Sequence, residues 1–168
     1  YAFSKISVST GGAYACGITT AGRAYCWGNQ EGGRLGDGIN APSGQHVTTP
    51  VPVAGDRTYS DIAAGGDHAC AIATGGAGYC WGHNERGQLG TGSFANSAVP
   101  VAVSGGLSFA SITTHQMVTC GVTDGGAAYC WGYGDSGNLG GGSKSSSNRP
   151  APVKGGLGFA SLRLGVWT

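Results

Sequence analysis

The sequence is poor in charged residues, and the few it has are balanced in sign. Charged residues make up 10% of the 168, with nine Lys and Arg against eight Asp and Glu. A protein that binds nucleic acid needs a basic surface to hold the phosphate backbone. The composition supplies no such surface, so we expect no nucleic-acid partner.

Long apolar runs and helical periodicity are also missing. No run of 18 apolar residues occurs, so we expect no membrane-spanning helix. Glycines interrupt every long stretch, and no segment keeps a helical spacing of apolar residues beyond one turn. The sequence begins with Tyr1 rather than Met and shows no signal peptide, so we expect Tyr1 to be a processed or cut end. The pattern predicts an all-β protein.

Glycine, by contrast, is abundant. The chain has 35 glycines, roughly three times ordinary usage. They follow no Gly-X-Y period, which excludes collagen, and 40% hydrophobic residues can supply a core, which argues against disorder. Many short strands joined by tight turns use glycine in this way.

The chain repeats itself three times with a period of about 50 residues. Each copy has a Cys-Trp-Gly core, then a Gly-x-Leu-Gly element, a proline and an aromatic-x-x-aliphatic element. The cores lie at residues 26–28, 80–82 and 130–132. The aromatic-x-x-aliphatic elements lie at 59–62, 109–112 and 159–162, with a fourth copy at 3–6.

These landmarks divide the chain into three units and a remainder. The predicted units are 1–58, with a longer loop at 39–49, then 59–108 and 109–158, while 159–168 is expected to form the first strand of a further repeat. We predict four short strands per unit. Such a unit cannot bury both of its faces alone and must stack on neighbours, as β-propeller blades do. Three blades cannot close a ring, so we expect an open propeller segment or one completed by other chains.

The six cysteines recur at a single spacing. In each unit the two cysteines are equidistant from a predicted hairpin turn, at Ala21, Gly75 and Gly125, so they should face each other across two strands. The spacing is not that of a zinc site, and no unit adds two further ligands in a fixed place. We therefore predict three disulfides, no metal and no cofactor. The predicted pairs are Cys16 with Cys26, Cys70 with Cys80, and Cys120 with Cys130.

Disulfides indicate an oxidising compartment, so we expect a secreted, periplasmic or cell-surface protein.

Two stretches of the second unit resemble a known repeat. Residues 81–92 read W-G-H-N-E-R-G-Q-L-G-T-G, and His68 to Gly82 reads H-x-C-A-I followed by G-x-x-Y-C-W-G. Both resemble the regulator-of-chromosome-condensation repeat, which implies a β-propeller, usually of seven blades. The nuclear member of that family is an exchange factor for a small GTPase and contacts chromatin through basic segments. This chain has neither seven blades nor basic segments, so we do not carry that activity over. The paired cysteines resemble secreted, largely bacterial versions that serve in adhesion, as scaffolds or as inhibitors.

No motif supports catalysis. Residues 134–137 read Gly-Asp-Ser-Gly, as around a protease serine, but the aligned stretches 30–33 and 84–87 contain no serine. Residues 132–137 match the phosphate-binding pattern G-x-G-x-x-G, yet no helix is predicted to follow. The four histidines fall in different repeat phases without carboxylate partners at metal spacing. We therefore expect no enzyme.

Binding should use what varies between units, because the recurring Tyr and Trp residues are expected to pack between blades. The variable loops are 39–49, 93–98 and 143–148. In the third unit, residues 114–118 also depart from the 65–68 sequence of the second. The candidate binding residues are Asn40, His46, Phe94, Asn96, His115, Lys144 and Asn148.

The leading hypothesis is a non-enzymatic extracellular propeller module that binds a protein, a cell surface or extracellular matrix. The alternative is a structural subunit of an extracellular fibre or ring, in which one chain completes a blade of the next. Alternatively, these residues belong to a longer polypeptide of about seven blades, which itself supplies the remaining blades. A small-molecule or glycan site is a third option, for which the sequence offers no specific residues.

Overall fold

The computed structural model describes residues 1–11 and 13–165, which form twelve strands and no helix. The first sheet contains β1 (Phe3–Val8), β2 (Tyr14–Thr19), β3 (Ala24–Asn29) and β4 (His46–Pro52). The second contains β5 (Tyr59–Ala64), β6 (His68–Ala73), β7 (Gly78–Gly82) and β8 (Ser97–Ala102). The third contains β9 (Phe109–His115), β10 (Val118–Thr123), β11 (Ala128–Gly132) and β12 (Ser147–Pro152).

Each sheet is antiparallel, and its strands lie side by side in chain order. The prediction of an all-β fold with four strands per unit is therefore confirmed. The first strand of each sheet is the inner one, since β5 contacts β1 and β2 on one side and β9 on the other. The sheets thus stack as neighbouring blades.

The Cys-Trp-Gly core explains how a blade is built. In the second unit, Cys80 lies opposite Cys70 in the register of β6 and β7 and is bonded to it. Gly82 lies at an irregularity between β7 and β8 with φ 104°, and a Cβ there would lie 2.5 Å from the Asp67 carbonyl oxygen. Only glycine fits that position without strain. The same register pairs Cys16 with Cys26 and Cys120 with Cys130, so all three predicted disulfides are confirmed.

The Trp of each core joins one blade to the previous one. Side chains alternate between the faces of a strand, so Trp81 faces the first unit while Cys80 faces the third. Trp81 is fully buried with Leu35 of the first unit, and its indole N–H donates to the Arg34 carbonyl over 3.1 Å. Trp131 repeats this contact on Leu89 and on the Gln88 carbonyl, at 2.9 Å.

Glycine makes room for each of these indoles. Gly36 and Gly90 have φ near 70°, and a Cβ on Gly90 would lie 2.6 Å from the Trp131 indole nitrogen. The repeated Gly-x-Leu-Gly element is therefore the socket for the Trp of the next blade, because its leucine and its glycine form the two walls that hold the ring.

The segment after β12 differs from the expectation. Residues 159–165 form no strand, although the Phe159 N–H donates to the Gly126 carbonyl as Tyr59 does to Gly22. The strand that would pair with this segment is not among the 168 residues, so the predicted ladder does not form. Leu162 and Leu164 instead pack beside Leu139 of the third unit. Residues 166–168 of the predicted strand lie outside the described residues.

Candidate protein-binding face

One face of the blade stack collects the connections that vary most between units. Antiparallel order places the β1–β2 and β3–β4 connections, and their counterparts in the other sheets, at the same end of the strands. We call this end the loop face. Its connections are residues 9–13, 30–45, 65–67, 83–96, 116–117 and 133–146.

The loop face contains most of the predicted binding residues. Asn40, Phe94 and Lys144 are exposed within its loops, and 56% of the Phe94 side chain is accessible. His46 is exposed at the first position of β4, at the same end. Asn148 is half-buried in β12. The structure therefore gathers three loops that are far apart in sequence onto one surface.

Asn96 and His115 have placements that the sequence did not indicate. Asn96 is exposed, but its side-chain oxygen accepts a hydrogen bond from the Asn84 N–H at 2.7 Å. His115 is 6% exposed, and its Nε2 has no hydrogen-bond partner among the described residues. His115 therefore supports its turn from beneath and does not present its ring on the surface.

Asn84 sets the shape of the second loop. It is fully buried, and its side-chain amide donates to the carbonyls of Ser93 and Ala95 while its oxygen accepts from the Leu89 N–H. The first and third units have Gln30 and Gly134 at this position. The loop around Phe94 is thus clamped in a way that the other two loops do not share.

The junction between the first two blades is bridged on the loop face by an ion pair. The Arg34 guanidinium is buried and lies 3.1 Å from the Asp67 carboxylate of the second unit. It also donates to the Glu31 carbonyl and lies 6.0 Å from the centre of the Tyr14 ring. Close by, His83 lies against Gly32, where a Cβ would come within 3.0 Å of its ring.

The junction between the second and third blades has an open cleft at the corresponding place. The cleft has a volume of about 370 Å³ and is lined by Arg86, Gln116, Met117, Val118 and Tyr133. Met117 stands where the second unit has Asp67, so the ion pair of the first junction is missing here. The Arg86 guanidinium lies 5.5 Å from the centre of the Tyr133 ring. The two junctions therefore differ in the side chains that line them.

The turn beside this cleft holds an unusual backbone conformation. Gln116 has φ 42°, and no other non-glycine among residues 1–11 and 13–165 has a positive φ. Its carbonyl accepts from the Gly66 N–H at 3.1 Å, and its own N–H donates to Thr10 at 3.4 Å. Positive φ costs energy for a residue with a Cβ and collects at functional sites. All three inner turns meet at this point.

A buried histidine lies under the same junction. The Thr119 hydroxyl donates its one proton to the Gln88 carbonyl at 2.9 Å, so the His68 Nε2–H donates to Thr119 at 2.8 Å. Burial lowers the pKa of His68 to about 3. His68 is therefore neutral at ordinary pH and serves as a packing residue.

The motifs that were weighed for catalysis or metal binding have plain structural settings. Among residues 1–11 and 13–165, no group of three or more His, Cys, Asp or Glu side chains could hold a metal ion. The 134–137 stretch is a turn closed by a Gly137 N–H bond to the Gly134 carbonyl, and β12 follows it. No helix in the described part of the chain is long and apolar enough to cross a membrane.

Sequence reasoning missed the cleft residues Arg86, Met117 and Tyr133. The signal was present in the aligned units, since Gly32, Asp67 and His83 hold the same positions one junction earlier. Nothing in the sequence indicated that the three substitutions would meet, because Arg86 lies in one blade and the other two in the next.

Four-stranded antiparallel blades that stack through a Trp and a Gly-x-Leu-Gly socket define a β-propeller repeat protein. The Regulator of chromosome condensation (RCC1) repeat model matches residues 21–72 and 76–123, and a second RCC1 repeat model matches 6–34 and 59–88. The chain belongs to the RCC1 repeat family, as its resemblance predicted.

Relatives with curated descriptions match about half of the chain. RCC1 domain-containing protein RUG3, mitochondrial, of Arabidopsis thaliana is 37% identical over 93 residues, which cover 55% of this chain and 20% of RUG3. Human E3 ubiquitin-protein ligase HERC2 is 33% identical over 88 residues, which cover 51% of this chain and 2% of HERC2. The chain thus spans a fifth or less of the length of these relatives.

Solved structures share the fold at low sequence identity. Prp20p from Saccharomyces cerevisiae aligns with a TM-score of 0.81 at 20% identity, covering 92% of this chain and 39% of that one. Human WBSCR16 aligns with a TM-score of 0.76 at 22% identity, covering 89% and 37%. At this identity the likeness establishes the propeller fold alone.

Proposed function

We propose that this chain is a non-enzymatic protein-binding propeller segment that works outside the reducing cytosol and binds through its loop face. One observation carries the proposal. The cores of the three blades repeat the same Cys-Trp-Gly and Gly-x-Leu-Gly elements, whereas the loops that differ in length all lie on one face. Variable loops on a rigid repeat scaffold are the usual arrangement for recognition.

Two further observations support it. All six cysteines are paired in disulfides, which persist in oxidising compartments. A structural relative of the same repeat, Prp20p, is described with binding properties to Gsp1p and histones, and in a complex with Kap60. The proposal extends protein binding, which is described for Prp20p, to the present chain.

The binding test compares two exposed apolar residues on opposite faces. The oxidised chain would capture partners from a secreted and cell-surface fraction, and the affinity of the purified partner would be measured by calorimetry. Phe94 lies on the loop face and Leu157 on the opposite face, at 56% and 66% exposure. We expect Phe94→Ser to weaken binding about tenfold or more and Leu157→Ser to leave it unchanged. Equal effects, or catalytic turnover by the purified chain, would contradict the proposal.

The compartment is tested by mass spectrometry of the chain isolated from its natural source. Reduction should add about 6 Da, one hydrogen atom (a proton and an electron from the reductant) for each of the six cysteines. A chain isolated with free thiols would contradict an oxidising location while leaving the binding proposal intact.

A second candidate function follows from the uncovered face of the first blade. Ile6 and Val8 are 52% and 62% exposed, whereas their counterparts Ile62 and Ala64 are 1% and 4% exposed. Trp27 is likewise only partly buried, whereas Trp81 is fully buried. The first blade thus presents the surface that the second and third blades bury.

The candidate is a structural subunit that assembles head to tail. In such a contact Trp27 of another copy would displace residues 159–165 from beside Leu139 and lie against the exposed Asn138 and Gly140, as Trp131 lies against Gln88 and Gly90. Such a contact is heterologous and gives a ring or a filament. Sedimentation across concentrations should show assembly that Val8→Glu abolishes. A monomer at every concentration would exclude this candidate.

A further inference from the structure

We propose that the cleft between the second and third blades binds a peptide segment in which a carboxylate neighbours an apolar side chain. The carboxylate pairs with Arg86, and the apolar side chain lies against Met117, Val118 and Tyr133. The inference rests on the proposed protein-binding function and names the chemistry that one site on the loop face recognises.

The charge of the cleft is the first step. Arg86 is exposed, and no Asp or Glu oxygen among residues 1–11 and 13–165 lies within 4.0 Å of its guanidinium nitrogens. At the first junction the guanidinium of Arg34 has Asp67 at 3.1 Å. At the second junction Met117 replaces that aspartate and Gln88 replaces Arg34, so Arg86, at the position of Gly32, is an added cation that no acid of the described residues pairs with. A ligand carboxylate would supply a charge-assisted hydrogen bond of the kind that Asp67 supplies to Arg34.

The orientation of Arg86 favours a planar partner. Its guanidinium lies 5.5 Å from the centre of the Tyr133 ring, within the range of a cation–π contact. Stacking restricts the side chain, so less conformational entropy is lost when its nitrogens bind a carboxylate. Glu85 precedes Arg86 and is exposed, and it forms no ion pair with Arg86.

The apolar lining is the second step. Met117 is 43% exposed and lines the cleft together with buried Val118. Methionine adapts its shape to different apolar partners. A volume of about 370 Å³ holds one or two side chains and lies at the low end for ligand sites. The cleft is therefore sized for part of a peptide.

The backbone of the turn that lines the cleft is strained. Gln116 keeps φ 42°, and its carbonyl bonds to Gly66 of the second blade. This conformation places Gln116 and Met117 together on the lining of the cleft. Strain held in a turn that lines an open cleft is typical of a preorganised binding site.

The first junction has different residues at the positions that line the cleft of the second junction. At the first junction Gly32, Asp67 and His83 hold the corresponding positions, where His83 lies over Gly32 and Asp67 pairs with Arg34. At the second junction Arg86, Met117 and Tyr133 take those three positions and line the open cleft. Three changes that converge on one cavity, on otherwise repeated blades, indicate a site.

The test is a nuclear magnetic resonance titration of the oxidised, isotope-labelled chain at constant ionic strength. The probes are N-acetyl-leucine, which joins a carboxylate to an apolar side chain, and its neutral amide. Acetate tests the charge alone. N-acetyl-leucyl-glutamate amide distinguishes a side-chain carboxylate from the terminal carboxylate of N-acetyl-leucine. We expect saturable shifts at the amides of Gln116, Met117 and Val118 with either acid, and shifts about fivefold smaller or none with the amide or acetate.

Three variants decide the result. Arg86→Gln should weaken the response to the acid probes about fivefold or more. Met117→Asp should also weaken the response about fivefold or more, because its carboxylate would compete with the carboxylate of the probe for Arg86. The matched control is Arg57→Gln, since the Arg57 guanidinium also stacks on a tyrosine, 4.3 Å from the Tyr79 ring centre, outside the cleft. It should leave the response unchanged.

Each outcome is informative. Equal binding of the acid and its amide, or an unchanged response in Arg86→Gln, would overturn the inference even if loop-face binding to a protein partner is found. A response to the acid probes that depends on Arg86 would support it, even if no partner that needs Phe94 exists.

Discussion

At the residue scale, His68 links the packing of the second and third blades to pH. Its ring is fully buried and donates to Thr119, which in turn donates to the Gln88 carbonyl that receives the Trp131 indole. A proton on Nδ1 would add a buried charge without a partner. Protonation of His68 is therefore unfavourable in the folded chain.

We expect the protein to lose stability as the pH falls below about 6.5, the ordinary pKa of histidine. Burial lowers the folded pKa of His68 to about 3, so in this window the unfolded chain binds a proton that the folded chain does not. The free energy of unfolding should fall by up to about 1.4 kcal/mol per pH unit and level off below about pH 3. Urea unfolding at several pH values measures this.

His68→Gln keeps a donor for Thr119 and does not titrate, so it should be less stable at neutral pH but less sensitive to acid. His46→Gln, at an exposed position, should retain the acid sensitivity of the original chain. If the free energy of unfolding of His68→Gln falls with pH as steeply as that of the parent chain, groups other than His68 cause the acid sensitivity.

The two tryptophans Trp131 and Trp27 offer a matched pair at the same scale. Trp131 is fully buried in a socket with a 2.9 Å hydrogen bond, whereas Trp27 has no blade before it among the 168 residues and is only partly buried. Trp131→Phe should lower the free energy of unfolding by about 2 kcal/mol or more, and Trp27→Phe by less than about 1 kcal/mol. Equal costs in chemical denaturation would mean that the sockets do not determine stability.

At the element scale, the hairpin of the second and third strands is the structural unit of each blade. The paired cysteines lie directly opposite each other in all three hairpins, and glycines at 28, 82 and 132 end the pairing with positive φ. The disulfide restricts the unfolded hairpin, while the glycine lets the chain leave the ladder toward the loop face. Hence the core is uniform and the loops are free to differ.

Removal of one disulfide should have a moderate cost. Cys70→Ala with Cys80→Ala opens a loop closed over a sequence separation of 10 and should lower the free energy of unfolding by about 2–3 kcal/mol. Non-reducing urea unfolding of the variant, beside the parent chain with and without reductant, measures this. Stability equal to that of the oxidised parent would show that the bond restrains little.

The third-unit loop should be the most adaptable of the variable loops. In the second unit, Asn84 bonds three backbone groups of its loop, whereas Gly134 at the same position has no side chain to do so. The third-unit loop keeps two other bonds: the Ser146 hydroxyl accepts from the Gly134 N–H at 3.2 Å, as Asn96 does from the Asn84 N–H, and the Asn138 side chain donates to the Tyr133 carbonyl at 3.0 Å. Different loops on one face can therefore combine a rigid contact at Phe94 with an adaptable one near Lys144.

At the scale of the whole molecule, stability should vary along the stack. The second blade packs against a whole blade on each side, while the first and third each pack against only one whole blade in the described chain. Repeat proteins gain stability from nearest-neighbour interfaces. The chain is therefore expected to open from its ends.

Hydrogen exchange of the oxidised chain should show this order. Amides of β6 and β7 should exchange most slowly, because these two middle strands of the second sheet open only when the whole molecule unfolds. Amides of β1 and β4 should exchange at least about tenfold faster. Uniform protection across all three blades would show instead that the stack unfolds as one unit. Val8→Glu, on the uncovered first-blade face, should leave protection of β6 unchanged.

The sequence by itself was sufficient for the fold and for the disulfides. The Cys-Trp-Gly cores recur in phase with strand-length segments, and the cysteines are symmetric about each turn, so blade, hairpin and bond follow from local spacing. Such features depend on residues within about a dozen positions of each other, where strand periodicity and turn chemistry act. They could be predicted because the same local rule occurs three times.

The tertiary structure alone decided the candidate site. The Gln116 N–H reaches Thr10 across 106 residues, Arg86 meets Tyr133 from the adjacent blade, and His115 is buried instead of exposed. It also decided that residues 159–165 pack as a covering segment and not as a strand. Local spacing determines how each blade is made, whereas the side chains that meet between blades depend on how the blades stack about the axis.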